Sequence, residues 1–200
     1  MSGQKIDRRA LLFGVAALLL APGEAFAAKK KKKTKKKAAT KKPFKLDPLY
    51  EPQRVMFRGY TPGTVVVDPG NRFLYYIEDP SYARRYGIGV GRSGWGLRGA
   101  AVVGRKAEWP WWRPTDAMIR RAPQRYARYA GGMPGGPRNP LGARALYLYR
   151  DGKDTMYRIH GTTEPWSIGQ AVSNGCVRMI NAHVEQLYER VKVGTFVVIL

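Results

Sequence analysis

Residues 63–200 predict a mainly β domain with few helices, on three observations. Short runs of β-branched and aromatic residues recur along the chain, compact turn sequences separate them, and only one stretch carries an apolar repeat of helical period. Val65, Val66 and Val67 follow Thr64, and Phe73, Leu74, Tyr75, Tyr76 and Ile77 follow Arg72. Asp68-Pro69-Gly70-Asn71 lies between them and is strong turn chemistry, so the pair reads as a hairpin. Residues 86–90 read as a further strand ending at Gly91, and 101–103 as a short one. Residues 106–114 carry Trp109, Trp111, Trp112 and two prolines and read as an irregular loop; residues 133–142, rich in Gly and Pro, read as another. Residues 145–149 and 155–159 form a second hairpin across Asp151-Gly152, and 195–200 close the chain as a buried strand. The one clear helix starts at Asn181, a good N-cap type. Val184, Leu187, Tyr188 and Val191 then give a core-facing stripe, and Gly194 stops it.

The chain has 200 residues and a formal charge of +22, unevenly placed. Eleven lysines fall between Lys29 and Lys45, and residues 46–200 carry about +10. Repelling like charges with no apolar groups to bury make residues 28–46 a disordered, Lys-rich tether. It reads as a solvated spacer with incidental attraction to an anionic envelope surface. Residues 47–62 lead into the domain.

Residues 1–27 read as a signal peptide. Lys5, Arg8 and Arg9 precede an apolar run over 10–21, and Ala25-Phe26-Ala27 gives a small-x-small cleavage pattern. The run is short of the ~20 apolar residues that span a bilayer. An uncleaved anchor is the alternative. Arg8-Arg9-Ala10-Leu11-Leu12 resembles a twin-arginine export signal, and the general secretory route is equally compatible. Export makes nucleic acid an unfitting partner for the lysine run, although such a run in a cytosolic protein would suggest it.

Cys176 is the chain's one cysteine, so no intramolecular disulfide is available. A lone thiol in an oxidising compartment is either inert or used. Of the two histidines, His160 ends a strand, while His183 lies beside the apolar stripe of the helix and reads as a surface residue. An imidazole near a thiol can take its proton and make a nucleophile. The ring then needs a third group to orient it, and the candidates are the Gly161 carbonyl and Glu164. Gly175 leaves the approach to the sulfur open, and amides around Gly175 and Cys176 could serve a tetrahedral oxyanion. If 176–178 is extended, Arg178 shares a face with Cys176 and either holds a substrate carboxylate or makes a structural ion pair. Two histidines and one cysteine give no credible metal-ligand set, and no cofactor is expected. Gly87-x-Gly89-x-Gly91 lacks the following helix of a nucleotide fingerprint.

His160-Gly161, followed by Ser173-Asn174-Gly175-Cys176-Val177-Arg178-Met179-x-Asn181, resembles the signature of the L,D-transpeptidase family, the YkuD-type catalytic domain. Residues 86–91, 106–110, 139–142 and 164–169 fit the same pattern, so the resemblance covers about 63–200. Two features depart from it. Gly96-Leu97-Arg98-Gly99 stands where many members have a Thr-Pro-x-Gly turn, and Asn174 stands where some have a second histidine.

The resemblance implies a β-sandwich or barrel-like domain with few short helices and a site in a cleft. It implies a Cys176 nucleophile, a His160 base and acid, and a Gly161 carbonyl orienting the ring. Gly175 and Cys176 would supply oxyanion amides, with Arg178 toward substrate or geometry. Ser173 is either a hydrogen-bonding group near the site or a turn residue; Asn174 adjoins it. Met179 reads as core and Asn181 as the helix cap. The tryptophans of 109–112 either cover the substrate or simply pack.

The implied enzyme is an exported, monomeric periplasmic or envelope protein. It acts on peptidoglycan stem peptides and passes an acyl group to a second stem or to an envelope protein. Two rival readings remain: an L,D-carboxypeptidase with water as acceptor, and a non-catalytic envelope-binding module with Cys176 inert.

Overall fold

The computed structural model describes residues 44–92 and 96–200. The expected signal peptide and residues 28–43 of the expected tether lie outside the described residues. Among the described residues no helix is long and apolar enough to cross a membrane.

Among the described residues eleven strands dominate: β1 (Gln53–Met56), β2 (Val65–Asp68), β3 (Phe73–Ile77), β4 (Tyr82–Gly87), β5 (Val90–Gly91), β6 (Gly99–Glu108), β7 (Arg144–Arg150), β8 (Lys153–His160), β9 (Ala171–Ser173), β10 (Val177–Arg178) and β11 (Phe196–Ile199). Nine of them form one sheet in the order β1-β4-β3-β2-β11-β6-β7-β8-β10, and β5 pairs with β9 separately. The mainly β class is as expected. Among the described residues three α-helices accompany it: α1 (Asp116–Arg121), α2 (Pro123–Tyr126) and α3 (Asn181–Arg190).

The sheet curls around one core. Leu74 and Tyr86 of β3 and β4, and Leu146 and Ile159 of β7 and β8, fall in the same buried cluster although they come from opposite halves of the strand order. Val184, Leu187 and Val191 bring the apolar stripe of α3 into that cluster. Closure comes from Gly89 and Arg178, whose backbones exchange hydrogen bonds at 2.9 and 2.7 Å, joining the chain beyond β4 to β10 at the far edge. Val66, Ile77 and Ala83 face the other way and are covered by Phe57, Tyr60 and Tyr75. Phe57 stacks on Tyr75 with ring centroids 4.1 Å apart. β2 is therefore buried on both faces, which is why it reads as an unbroken valine run.

Both expected hairpins are present, as β2–β3 and β7–β8. Other boundaries differ. The strand expected at 86–90 starts at Tyr82 and divides into β4 and β5, and the short strand expected at 101–103 is the ten-residue β6. Exposed Arg105 and partly buried Lys106 interrupt the apolar alternation of β6. The lead-in is not mere approach: β1 within it pairs antiparallel with β4 at the sheet edge.

Asn181 is the first helical residue of α3 rather than its cap. Its Oδ1 instead accepts from the Ala143 and Thr162 backbone N–H groups at 3.2 and 3.1 Å. His183 is buried, not on the surface, and pairs with Glu51 of the lead-in at 3.2 Å. The C-terminus of α3 is closed by Lys106, whose Nζ donates to the Tyr188 and Val191 carbonyls at 2.6 Å each.

Candidate active site

β8 delivers His160 at its C-terminal end, and β10 runs parallel to it with Arg178 in register with His160. Cys176 immediately precedes β10. His160, Cys176 and Arg178 line one cavity of about 300 Å³.

The His160 ring is buried, with Nδ1 2.6 Å from the Gly161 carbonyl. A carbonyl only accepts, so Nδ1 carries the proton and Nε2 keeps its lone pair. Burial pulls the His160 pKa down to about 4; the Gly161 and Leu141 carbonyls oppose this, and the guanidiniums of Arg178 and Arg158 reinforce it. The ring is thus neutral near pH 7, the form a base requires. Of the two orienting candidates, the Gly161 carbonyl makes the contact. A Cβ on Gly161 would collide with Asn181 Oδ1, so glycine and asparagine together hold this backbone where its carbonyl meets the ring. Glu164 instead binds Arg178, Oε2 to Nη1 at 2.6 Å.

The Cys176 thiol donates to the Met156 carbonyl at 4.0 Å. Among the described residues it makes no hydrogen bond to His160. Met156 has φ +64° on the strand where the β7–β8 register slips. Burial pushes the thiol pKa up, while the Arg158 backbone N–H and the Arg158 and Arg178 guanidiniums pull the other way. At rest the thiol and the imidazole that line this cavity are both neutral.

The turn bearing Cys176 is built by Ser173. Its hydroxyl donates to the Cys176 carbonyl at 2.7 Å and accepts from Gly175 N–H at 3.2 Å. Gly175 has φ +127°, a conformation that favours glycine. The Gly175 amide, expected in an oxyanion pair, is engaged by the Ser173 hydroxyl here. The Cys176 N–H has no hydrogen bond among the described residues.

Sequence reasoning missed the cover of the cavity. α1, α2 and the 3-10 turn Ala127–Tyr129 lie across it, contributing Met118, Arg125, Tyr126, Arg128 and Tyr129. Asn174 docks this cover onto the cysteine turn. Its Oδ1 accepts from Arg121 Nη2 at 3.0 Å, and its Nδ2 donates to Tyr126 Oη at 3.4 Å. Of the three tryptophans, Trp112 alone lines the cavity, edge-on to Tyr129 with centroids 5.6 Å apart; Trp109 and Trp111 are exposed. Buried Asn139 ties the 133–142 loop, its Nδ2 reaching the carbonyls of Pro110, Met133 and Pro134. Thr115 would have marked the cover in the sequence: it caps α1 by accepting from Met118 N–H at 3.2 Å.

The family model of the YkuD L,D-transpeptidase catalytic domain matches residues 62–199. The chain belongs to this L,D-transpeptidase catalytic-domain family. Among curated relatives, the probable L,D-transpeptidase ErfK/SrfK of Escherichia coli K12 is 35% identical over 144 residues, covering 69% of this chain and 44% of that protein. The probable L,D-transpeptidase YbiS of the same strain is 35% identical over 135 residues, covering 66% and 42%. The chain thus spans under half the length of these two relatives. A crystal structure from Brucella melitensis, described as a probable carnitine operon oxidoreductase, is 55% identical with a TM-score of 0.55, covering 78% of this chain and 96% of that one. Its oxidoreductase name belongs to that protein; what this chain shares with it is the fold. In this L,D-transpeptidase domain the matched span holds both hairpins, the Cys176 turn and the whole cover, while β1 lies before it.

Proposed function

We propose that this chain is an exported, cysteine-dependent L,D-transpeptidase acting on peptidoglycan stem peptides in the periplasm or cell envelope. Residues 1–27 would serve as the export signal, and the Lys-rich stretch that follows as a spacer before the domain. The observation that carries the reading is the shared cavity of His160 and Cys176, with His160 Nδ1 held by the Gly161 carbonyl and Nε2 left to accept a proton.

The reaction starts with a change of χ1 at Cys176. The thiol leaves the Met156 carbonyl and turns to His160 Nε2. Nε2 takes the proton, and the Gly161 carbonyl steadies the imidazolium. The thiolate attacks the diaminopimelate carbonyl of a tetrapeptide stem at its L-centre. The Cys176 N–H stabilises the oxyanion. His160 returns the proton to the leaving D-alanine, and a thioester remains on Cys176. An amine from a second stem or an envelope protein then attacks the thioester, and the thiol is regenerated.

The test is mass spectrometry of the purified domain with tetrapeptide stems, alone and with an amine acceptor. The expected result is a thioester adduct on Cys176, loss of D-alanine and an acceptor-linked product, all absent from Cys176→Ala. Trimmed tripeptide without any linked product would replace the transferase by the carboxypeptidase. No adduct and no product would overturn the enzymatic reading.

A further inference from the structure

The lining of the cavity is strongly cationic. It carries Arg125 and Arg128 from the cover, Arg138 from the 133–142 loop, Arg178, and a single carboxylate, Glu164. Glu164 is committed to Arg178. None of Arg125, Arg128 and Arg138 has a carboxylate partner among the described residues. These three exposed guanidiniums border a cavity of about 300 Å³ without carboxylate partners, and together they favour an anion entering it.

The cover is also arranged to keep two of them there. Arg125 lies over the Tyr126 ring at 5.3 Å and Arg128 over the Tyr129 ring at 4.8 Å. Both rings pack on Trp112, and Tyr126 Oη is bonded to Asn174 beside the cysteine turn. Both arginines are solvent-exposed, and the stacking on these rings holds them at the rim of the cavity that Cys176 also lines. A guanidinium reads a carboxylate by two parallel N–H···O bonds, which a neutral amide cannot match.

We propose that Arg125, Arg128 and Arg138 form a carboxylate-reading subsite that selects acyl-donor stems by their free carboxylates. The groups read are those not consumed by the reaction: the carboxylate at the far centre of diaminopimelate and the α-carboxylate of the preceding D-glutamate. This rests on the function proposed above. It adds that a stem amidated at these positions is a poor donor for this chain.

The experiment has two arms. In the first, Cys176→Ala is titrated calorimetrically with a synthetic tetrapeptide stem bearing free carboxylates and with its doubly amidated counterpart. The free acid is expected to bind roughly ten- to hundredfold more tightly. In Arg125→Gln/Arg128→Gln and in Arg138→Gln, each combined with Cys176→Ala, that preference should fall to within about threefold. The preference is a ratio within one protein, so a general loss of folded material cannot imitate its collapse. In the second arm, adducts on intact Cys176 are followed with the same two peptides, and the preference should appear in KM more than in kcat.

Equal binding of both peptides, binding of neither, or a preference that survives in the arginine variants would overturn the subsite. A binding preference that the variants abolish, with no adduct on Cys176, would retain the subsite and sink the transpeptidase reading instead.

Discussion

The Ser173 hydroxyl donates to the carbonyl of Cys176 at 2.7 Å and at the same time accepts from Gly175 N–H. One buried oxygen therefore sets the backbone on both sides of the peptide bond that joins Gly175 to the cysteine. Ser173→Ala strands a donor and an acceptor where water has little access, costing about 1–3 kcal/mol. It also loosens the amide expected to face the oxyanion, so adduct formation on Cys176 should slow about tenfold. Urea unfolding and stopped mass-spectrometric time courses check the two effects. Wild-type values for both would remove Ser173 from the construction of this turn.

Gly175→Ala tests the same turn through the backbone. A Cβ at φ +127° is strained whatever space surrounds it, at a cost on the order of 1–3 kcal/mol. The protein has two ways to respond: it unfolds more readily, or it moves the turn and misplaces the sulfur. Alkylation of Cys176 by iodoacetamide should change its rate in the second case, and the urea midpoint should fall in the first. An alanine variant indistinguishable from wild type in both assays contradicts the geometry described for residue 175.

Asn174 offers a test of the cover. Its two hydrogen bonds, to Arg121 and Tyr126, attach α1 and α2 to the cysteine turn. Asn174→Ala should leave the core intact and change the melting temperature by only a few degrees, since both contacts are exposed. Amide exchange in 116–129 should accelerate, and KM for a stem peptide should rise several-fold while kcat changes less. Exchange confined to its wild-type rate would mean that contacts other than those of Asn174, such as Arg113 with Asp116 and the Ala130 carbonyl, hold the cover.

How far the sequence reaches is decided by where the signal is local. The β2–β3 and β7–β8 hairpins are written in adjacent residues, because turn chemistry and β-branched runs lie side by side. The His160 and Cys176 segments stand out by spacing and rarity. What stayed hidden depends on partners distant in sequence. Asn181 looks like a cap by type, yet its oxygen serves Ala143 and Thr162. His183 looks exposed beside an apolar stripe, yet it meets Glu51 from 132 positions earlier. The cover escaped notice because its helices are short, with no buried residue in either, so no apolar period betrays them. The bond of the thiol to the Met156 carbonyl is a side-chain contact across 20 positions, and no pattern of residue types encodes it.

That resting contact has a kinetic consequence. Burial raises the pKa of the Cys176 thiol, so the free enzyme holds little thiolate at pH 7. Alkylation by iodoacetamide in the absence of substrate should be slow at pH 7 and climb through pH 9 and above, without a plateau near neutrality. A plateau at pH 6–7 would reveal a preformed thiolate–imidazolium pair and contradict the neutral resting state. Met156→Gly would not remove the carbonyl that holds the thiol, so the matching probe is Arg158→Gln. That change withdraws one of the two guanidiniums favouring thiolate, and the alkylation profile should move further toward alkaline pH.

His160 ties stability to acidity in a defined window. Its pKa is about 4 in the folded chain against about 6.5 when exposed, the fall caused chiefly by burial. The unfolded chain therefore takes up the proton first as pH is lowered. Above pH 6.5 both states are neutral and His160 contributes no pH dependence. Between pH 6.5 and 4 the unfolded state gains protons that the folded state refuses, and stability falls, by roughly 3 kcal/mol across the window. Below pH 4 both forms are protonated and the slope from this residue vanishes. Urea unfolding at pH 7.0, 5.5 and 4.5 measures the loss, and His160→Gln supplies the control, since a glutamine keeps volume and polarity without titrating in this range. The difference in stability between wild type and His160→Gln should shift against the wild type as pH drops from 7 to 4.5. A difference that stays constant over this range would mean that the ring titrates near its exposed value in the folded protein, and the neutral base drawn from its burial and its bond to Gly161 would be lost.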